Sequence, residues 1–399
     1  MNDTAVTDVT EKTKAYKAYM SRIKSENIPA YEPSLGPQEM EFLKDVIRRN
    51  WLSEGKYVRE FESRLATICQ KKYALAFCNA TSALITGMKS LGIGAGDQVI
   101  VPSFTHPADP NSIAATGAAP VFAEVNEETL CLSVETIDEA KTKRTKAVLF
   151  VSLYGNAAEM QDIADYAERN SLILVNDCAP ALYGTYKNKP IASYGDFSVL
   201  SFFADKTITT GEGGMLLTDN AELINECNMY KHDGRRERGC DLIERTGYNF
   251  RMTELQAAVG LAQADRIEQL VQQKKEVQKT YEELLKEVSK VKVFKFNPEG
   301  DIVPHRILII VPQAKGLIQY LTSLGIGART MFMPMHSQPC YETGQQFAIT
   351  EKLYNRGVCL PSAPTLTREN IEFVCNAVKN FYKERGRNDA SPGNETIFL

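Results

Sequence analysis

Short apolar runs recur through the first half of this chain, each followed by a stretch with helical spacing, and that alternation leaves few folds open. Tyr73–Phe77, Gln98–Val101, Pro120–Ala123, Ala147–Val151 and Leu172–Val175 have the length and apolar content of buried strands. Helical patterns fit Thr81–Leu91, Pro110–Thr116, 133–141 and 157–169 between them. Strands that alternate with helices form crossover units around a mostly parallel sheet. Sheets of that kind place ligands at the carboxyl ends of their strands. The residues just after each run therefore matter most for function.

Two more helices are predicted ahead of the first strand. One starts near Pro37, with Met40, Phe42, Leu43, Val46 and Ile47 on its apolar side; the other covers Val58 to Gln70. A long helical stretch from Thr253 to Leu285, with room for a bend, leads into a different pattern. There Val291–Phe294 and Arg306–Val311 read as strands, with helices at 314–324 and 367–384. The expected organisation is a polar N-terminal extension (1–27), a large domain (28–270), a smaller C-terminal α/β domain (271–385) and a mobile polar tail (386–399).

Composition narrows the partners. The chain has 43% apolar and 24% charged residues over 399 positions, which suits a folded protein with a sizeable core. A net charge of −4 leaves no excess of Lys and Arg to neutralise phosphates, so nucleic acid is excluded as the main partner. The nine cysteines are irregularly spaced, without a C-x-x-C pair, so neither zinc nor a redox dithiol is expected. They read as reduced thiols. The start, MNDTAVTDVTEKTK, lacks the apolar stretch of a signal peptide, and no run is long enough to span a membrane. These features together point to the cytoplasm.

Three places at strand ends could carry chemistry. Asp177 closes the run Leu172–Val175; it reads as a site acid or, more commonly when taken alone, as a turn or helix-cap Asp. Thr81 and Ser82 follow the first strand and open a helix, where hydroxyls and free N–H groups suit a phosphate; an ordinary N-cap fits as well. Lys206 follows the run Phe197–Leu200 and precedes glycines 211, 213 and 214, which permit close backbone approach. Taken alone, it reads as a solvated lysine. Taken together, the three match what pyridoxal phosphate (PLP) requires: a lysine, an acid for the pyridine nitrogen, and phosphate donors.

In sequence the chain resembles the DegT/DnrJ/EryC1/StrS family of PLP-dependent sugar aminotransferases, over about residues 28–384. The blocks that carry the likeness occur in order: Ile28–Gly36, Trp51–Gly55, Val101–His106, Asp177–Ala181, Gly195–Gly214, Gly247–Met252 and Pro334–Tyr341. The resemblance implies an α/β, fold type I, aspartate aminotransferase-like architecture. It implies that Lys206 bonds to the cofactor and later moves protons, and that Asp177 pairs with the pyridine nitrogen. Thr81, the Ser82 backbone and Ser201 would hold the phosphate. Asn249 would reach the phosphate of a neighbouring subunit, which implies a homodimer with shared sites. Arg329 and His336 would lie near the sugar.

Three positions depart from the family pattern. The residue stacking on the pyridine face, usually aromatic, is His106. The polar residue three positions after Asp177 is Pro180, which has no side-chain donor for the cofactor's phenolic oxygen, and the acid common just before Asp177 is Asn176. Members that catalyse sugar dehydration carry histidine at the lysine position, so Lys206 favours amino transfer. The runs Lys206–Met215 and Asn249–Gln256 look most like GDP-perosamine synthases, which act at C4 of a 4-keto-6-deoxy sugar nucleotide. The implied reaction is ping-pong transfer from an amino acid, L-glutamate by resemblance, to a nucleotide-linked keto sugar. A 3-keto sugar aminotransferase, a PLP-dependent sugar dehydratase and a non-catalytic PLP- or sugar-binding protein are the alternatives.

Overall fold

The computed structural model describes residues 27–237, 239–341 and 343–388. The predicted extension lies outside these residues except for Asn27. The last helix runs on to Asn388, so the first residues of the predicted tail belong to it, and residues 389–399 lie outside the described part.

Seven strands build the main sheet: β1 (Tyr73–Phe77), β2 (Gln98–Pro102), β3 (Ala119–Ala123), β4 (Thr145–Val151), β5 (Ile173–Asp177), β8 (Phe197–Ser201) and β9 (Gly214–Thr218). Their spatial order is β1-β9-β8-β5-β4-β2-β3. Neighbours from β8 to β3 are parallel, whereas β9 runs antiparallel to both β8 and β1. Successive residues of each strand feed opposite cores. Leu174 packs in one with Val148 and Leu200; Val175 packs in the other with Leu149 and Val199. Burying each such side chain contributes about 1.5–3 kcal/mol.

Helices cover both faces. The predicted helix face after Pro37 is corrected here. In Pro37–Arg48 only Val46 of the five is buried, while Met40 and Ile47 stay exposed. Phe42 and Leu43 are half-buried and pack against the core beside Val46, so Met40 and Ile47 lie outside the packed stripe. The next helix, Lys56–Ile68, begins at Gly55, which has no capping side chain. Glu254, from the helix Glu254–Asp265, replaces it by accepting from Tyr57 N (3.1 Å) and Val58 N (3.0 Å). A carboxylate on those orphan N–H groups is worth about 1 kcal/mol.

The long helical stretch breaks at Arg266, and Ile267–Leu285 follows it. A four-stranded antiparallel sheet then forms, ordered β10 (Lys292–Val293), β12 (Ile307–Ile310), β14 (Gly357–Leu360) and β13 (Arg329–Thr330). The helices Ala314–Ser323 and Arg368–Asn388 pack with it around a third core that includes Ile309, Leu317 and Val374. Three two-residue strands stitch the lobes together: β6 (Thr185–Tyr186) pairs with β7 (Lys189–Pro190) on one side and β11 (Gly300–Asp301) on the other.

A strap from Ile28 to Glu39 crosses both parts. Ile28 N donates to Gly325 O (2.9 Å) and Ile28 O accepts from Gly327 N (2.7 Å) in the smaller sheet's neighbourhood. Further on, Ser34 O accepts from Gln263 Nε2 (2.7 Å) and Glu39 Oε1 from Arg266 Nη2 (2.6 Å), at the helix break.

Candidate active site

A cavity of about 360 Å³ opens at the carboxyl ends of β1, β4, β5 and β8, where a parallel sheet is expected to receive a ligand. Among the described residues no cluster of His, Cys, Asp and Glu could hold a metal ion.

Lys206 leaves the loop after β8 and lines the cavity, its side chain largely enclosed, with Nζ 3.8 Å from Asp205 Oδ1. Burial pushes the amine below its ordinary value, against the pull of Asp205 and Asp177. A less basic amine has more of the neutral, nucleophilic form. Asp177, the last residue of β5, also lines the cavity and is 5% exposed. Its Oδ1 accepts from Ala179 N at 2.8 Å, which fixes the carboxylate at the strand end.

At the opposite wall the helix Ala80–Ser90 begins. Asn79 is its cap, accepting from Ser82 N (2.9 Å) and Ser82 Oγ (2.8 Å). The expectation for Ser82 is corrected on this point. Its N–H is already engaged by the cap, the residue is buried, and it does not line the cavity. Ala80 and Thr81 do line it, and the N–H groups of a helix's first turn have no acceptor within the helix. Ser201 lines the same cavity, and such a helix start with hydroxyls beside it is suited to an anion. Gly214 lets this wall form: a Cβ there would stand 2.4 Å from Ala80 N and from Asn79 C.

His106 stands at the cavity rim. Its Nδ1 accepts from Ala108 N (3.1 Å), which leaves the proton of the neutral ring on Nε2, and Phe332 meets its edge at 5.6 Å. Enclosure, then the Lys206 charge, holds the imidazole below its usual value. It is therefore neutral near pH 7. Pro180 lines the cavity as well. Asn176 points to the other side of the sheet, donating to Ile191 O (2.9 Å).

Other expected residues are elsewhere. Arg329 reaches the cavity from β13. Asn249 is exposed in a bridge with His232 and does not line its own chain's cavity. His336 is corrected: it is 4% exposed, with Nδ1 2.5 Å from Ser103 Oγ and Nε2 3.3 Å from Glu351 Oε1. Both ring nitrogens have protein partners, so it braces the loop rather than facing the cavity. Sequence reasoning missed Tyr154, Asp205, His305 and Arg306, all of which line the cavity. Arg306 was legible only as the start of an apolar strand, and His305 not at all.

Asp205 organises this missed group. Burial opposes its ionisation, but the bond to His305 and the Lys206 and Arg306 charges outweigh that and hold it well below the usual carboxylate range. Its Oδ2 accepts from Arg306 Nη2, and His305 Nε2 lies 3.4 Å from Oδ1. Burial keeps His305 well below its ordinary value, so this ring is neutral too. The donor set suits PLP: an enclosed amine, a buried carboxylate, a helix start for phosphate and a neutral ring at the rim.

The family model for DegT/DnrJ/EryC1/StrS aminotransferases matches residues 33–379. GDP-perosamine synthase of Escherichia coli O157:H7 is 36% identical over 369 residues, covering 90% of this chain and 99% of that protein. The dTDP-3-amino-3,6-dideoxy-alpha-D-galactopyranose transaminase of Aneurinibacillus thermoaerophilus is 32% identical over 340 residues, covering 84% and 93%. The crystal structure of S. venezuelae DesV, solved in complex with a ketimine intermediate, superposes with a TM-score of 0.83 at 27% identity, covering 92% and 96%.

Proposed function

The chain belongs to the DegT/DnrJ/EryC1/StrS aminotransferase family, and from that premise we propose that it moves an amino group from L-glutamate to C4 of a nucleotide-linked 4-keto-6-deoxyhexose. It is a PLP-dependent sugar aminotransferase with the fold type I architecture. The observation that carries the proposal is the meeting of Lys206, Asp177 and the Thr81 helix start around one cavity.

PLP, when bound, supplies an aldehyde for the amino group and a ring that stabilises negative charge beside it. Lys206 would be the amine that holds the cofactor and, when free, the base placed to move a proton at the donor carbon. Asp177 would pair with the ring nitrogen and favour its protonated form. Thr81, Ser201 and the N–H groups of Ala80 and Thr81 hold the phosphate. His106, being neutral, covers the ring without adding a positive charge. Enclosure of Lys206 keeps its amine reactive and excludes water from the proton's path.

A homodimer with shared sites fits the exposed apolar residues Leu35, Met40, Ile47, Trp51 and Leu52, and the exposed Asn249. All nine cysteines are free thiols, in keeping with the cytoplasm. The 36% identity to a GDP-perosamine synthase favours C4, while the 32% identity to a 3-amino sugar transaminase keeps C3 as the second reading.

The test has two arms. Borohydride reduction of the holoenzyme followed by peptide mapping should leave a pyridoxyl group on Lys206; its absence there sinks the assignment. Purified enzyme with glutamate should convert a 4-keto-6-deoxy sugar nucleotide to a 4-amino sugar, with parallel double-reciprocal lines. A 3-amino product would move the reaction to C3.

A further inference from the structure

Asp205 and Lys206 are neighbours in the chain, and in a strand such neighbours would point to opposite faces. Here the chain turns: Lys206 N donates to Phe203 O (3.0 Å), and both side chains line the cavity. The base of this loop is closed by Phe202 N on Gly213 O (2.9 Å) and by Thr210 N on Phe202 O (2.9 Å). Asp205 ties the loop to the smaller lobe. Its Oδ2 accepts from Arg306 Nη2, just ahead of β12, and its Oδ1 lies 3.4 Å from His305 Nε2. A carboxylate can only accept, so the proton of the neutral His305 ring sits on Nε2.

The two carboxylate oxygens therefore differ. Oδ2 is taken up by a cation that does not lose its proton. Oδ1 meets a long contact from a neutral ring and, 3.8 Å away, Lys206 Nζ. The Lys206 and Asp205 side chains are 17% and 10% exposed, so solvent screens their attraction little. Burial makes the Lys206 amine less basic, and Asp205 works against that ahead of Asp177. Asp177 has its Oδ1 held by Ala179 N and, under the proposed function, serves the ring nitrogen. The other titratable or charged groups that face Nζ are Asp109 on the helix Ala108–Thr116, His106 at the rim, His305 and Arg306 before β12, and Lys274 on the helix Ile267–Leu285. Arg306, the fixed charge among them, disfavours an ammonium at Lys206 and is offset by the carboxylate it grips.

We propose that Asp205 is a positioning residue that holds the freed Lys206 amine as an ammonium at Oδ1, from the moment it takes a proton until it gives that proton back. The proposal rests on the reading of Lys206 as the reactive amine. A base that carries a proton from one carbon to another must keep it in between, and in an enclosed site an unpaired ammonium is costly. With Oδ2 anchored, Oδ1 supplies the partner without leaving its place. Burial and Asp205 together then leave an amine that is neutral when it must react and charged when it must return the proton.

The test follows the proton on Lys206 in two states of the full chain. In the cofactor-free chain, labelling of Lys206 by acetic anhydride at several pH values, read by peptide mass spectrometry, gives the midpoint of its titration. In the holoenzyme, the visible absorbance of the bound cofactor against pH reads the proton on the nitrogen it shares with Lys206. Asp205→Asn should lower both midpoints by about one pH unit or more, the effect of removing an opposite charge at this range. Asp205→Glu keeps the charge and should recover most of the shift. Arg306→Met removes the competing cation and should raise the cofactor-free midpoint. A carboxylate that merely joins the lobes would lower the melting temperature in these variants and leave the midpoints in place. Melting temperature checks folding, and where Asp205→Asn does not fold, the direction of the Arg306→Met shift decides. Midpoints within about 0.3 pH unit of the wild type in a folded Asp205→Asn, or a fall with Arg306→Met, overturn the proposal. If borohydride reduction leaves no pyridoxyl group on Lys206, the reading of that lysine falls, and this proposal with it; unmoved midpoints beside a formed adduct sink this proposal alone.

Discussion

Asp109, fully buried, lies close enough to Asp177, 5% exposed at the cavity, for the two carboxyls to act on each other. Burial, then the Asp177 charge and their mutual bond, push Asp109 well above the usual carboxyl range, despite the bond from Thr105. The shift favours the protonated form of Asp109 beside Asp177. Asp109→Asn keeps a neutral donor and should change kcat by less than about 3-fold, whereas Asp177→Asn should lower it by roughly 10²–10³, as for loss of a preorganised charge partner. Steady-state kinetics with cofactor content measured in parallel decides this.

His106 gives a second prediction. Its imidazole is already neutral and titrates below its ordinary value, so lowering pH from 8 to 7 should not reduce activity through this group. His106→Phe should keep PLP affinity within about 5-fold, because stacking area survives, while His106→Ala should lose roughly 10-fold, about one aromatic contact. Equilibrium dialysis of the cofactor reads both, and a wild-type affinity that falls sharply with His106→Phe would show that the ring's polarity matters.

Lys274 bears on stability alone. It is 3% exposed, and burial, then the Arg306 charge, lowers its amine to about 7. The unfolded chain binds that proton up to about pH 10.5 while the native chain has released it. Stability should therefore rise with pH between 7 and 10.5, by at most about 1.4 kcal/mol per pH unit. Lys274→Met should remove this slope and gain on the order of a few kcal/mol at pH 7. Urea denaturation at several pH values measures both.

The pair formed by Lys231 and Glu54 should give a slope of the same sign in the acid range. Lys231 Nζ is 2.5 Å from Glu54 Oε1 and its side chain is 1% exposed; His232 Nε2 holds the other oxygen at 2.9 Å. Burial raises the Glu54 carboxyl, but these partners outweigh it and bring it to about 2. Its contribution is present above the ordinary carboxylate value and fades as pH falls towards 2. Glu54→Ala leaves the buried Lys231 ammonium to Ala76 O (3.2 Å) and the more distant Glu62 (3.9 Å) and should cost up to about 3 kcal/mol in denaturant melts.

What the sequence revealed follows from where the information lies. The strands β1 to β5 and β8 are buried on both faces, so each is a continuous apolar run. β9 escaped notice because Gly214 to Thr218 follows a glycine-rich loop and its identity depends on pairing with β1 and β8. The two-residue strands have no pattern of their own. In the site, Lys206, Asp177, Thr81 and Ser201 were legible by family likeness and by their places at strand ends. Ser82 and His336 misled because a polar side chain looks the same in sequence whether its partner is protein or ligand. Asp205, His305 and Arg306 come together only through contact between residues about a hundred positions apart.

The strap from Ile28 to Glu39 gives the cavity an outside handle. Tyr31 lies under the Arg306 guanidinium, and Leu35 a few residues on is exposed. A protease cutting between them would sever the support of the cavity wall without entering it. Cleavage in this stretch should slow when the cavity is filled, so a simple digest becomes a reporter of occupancy.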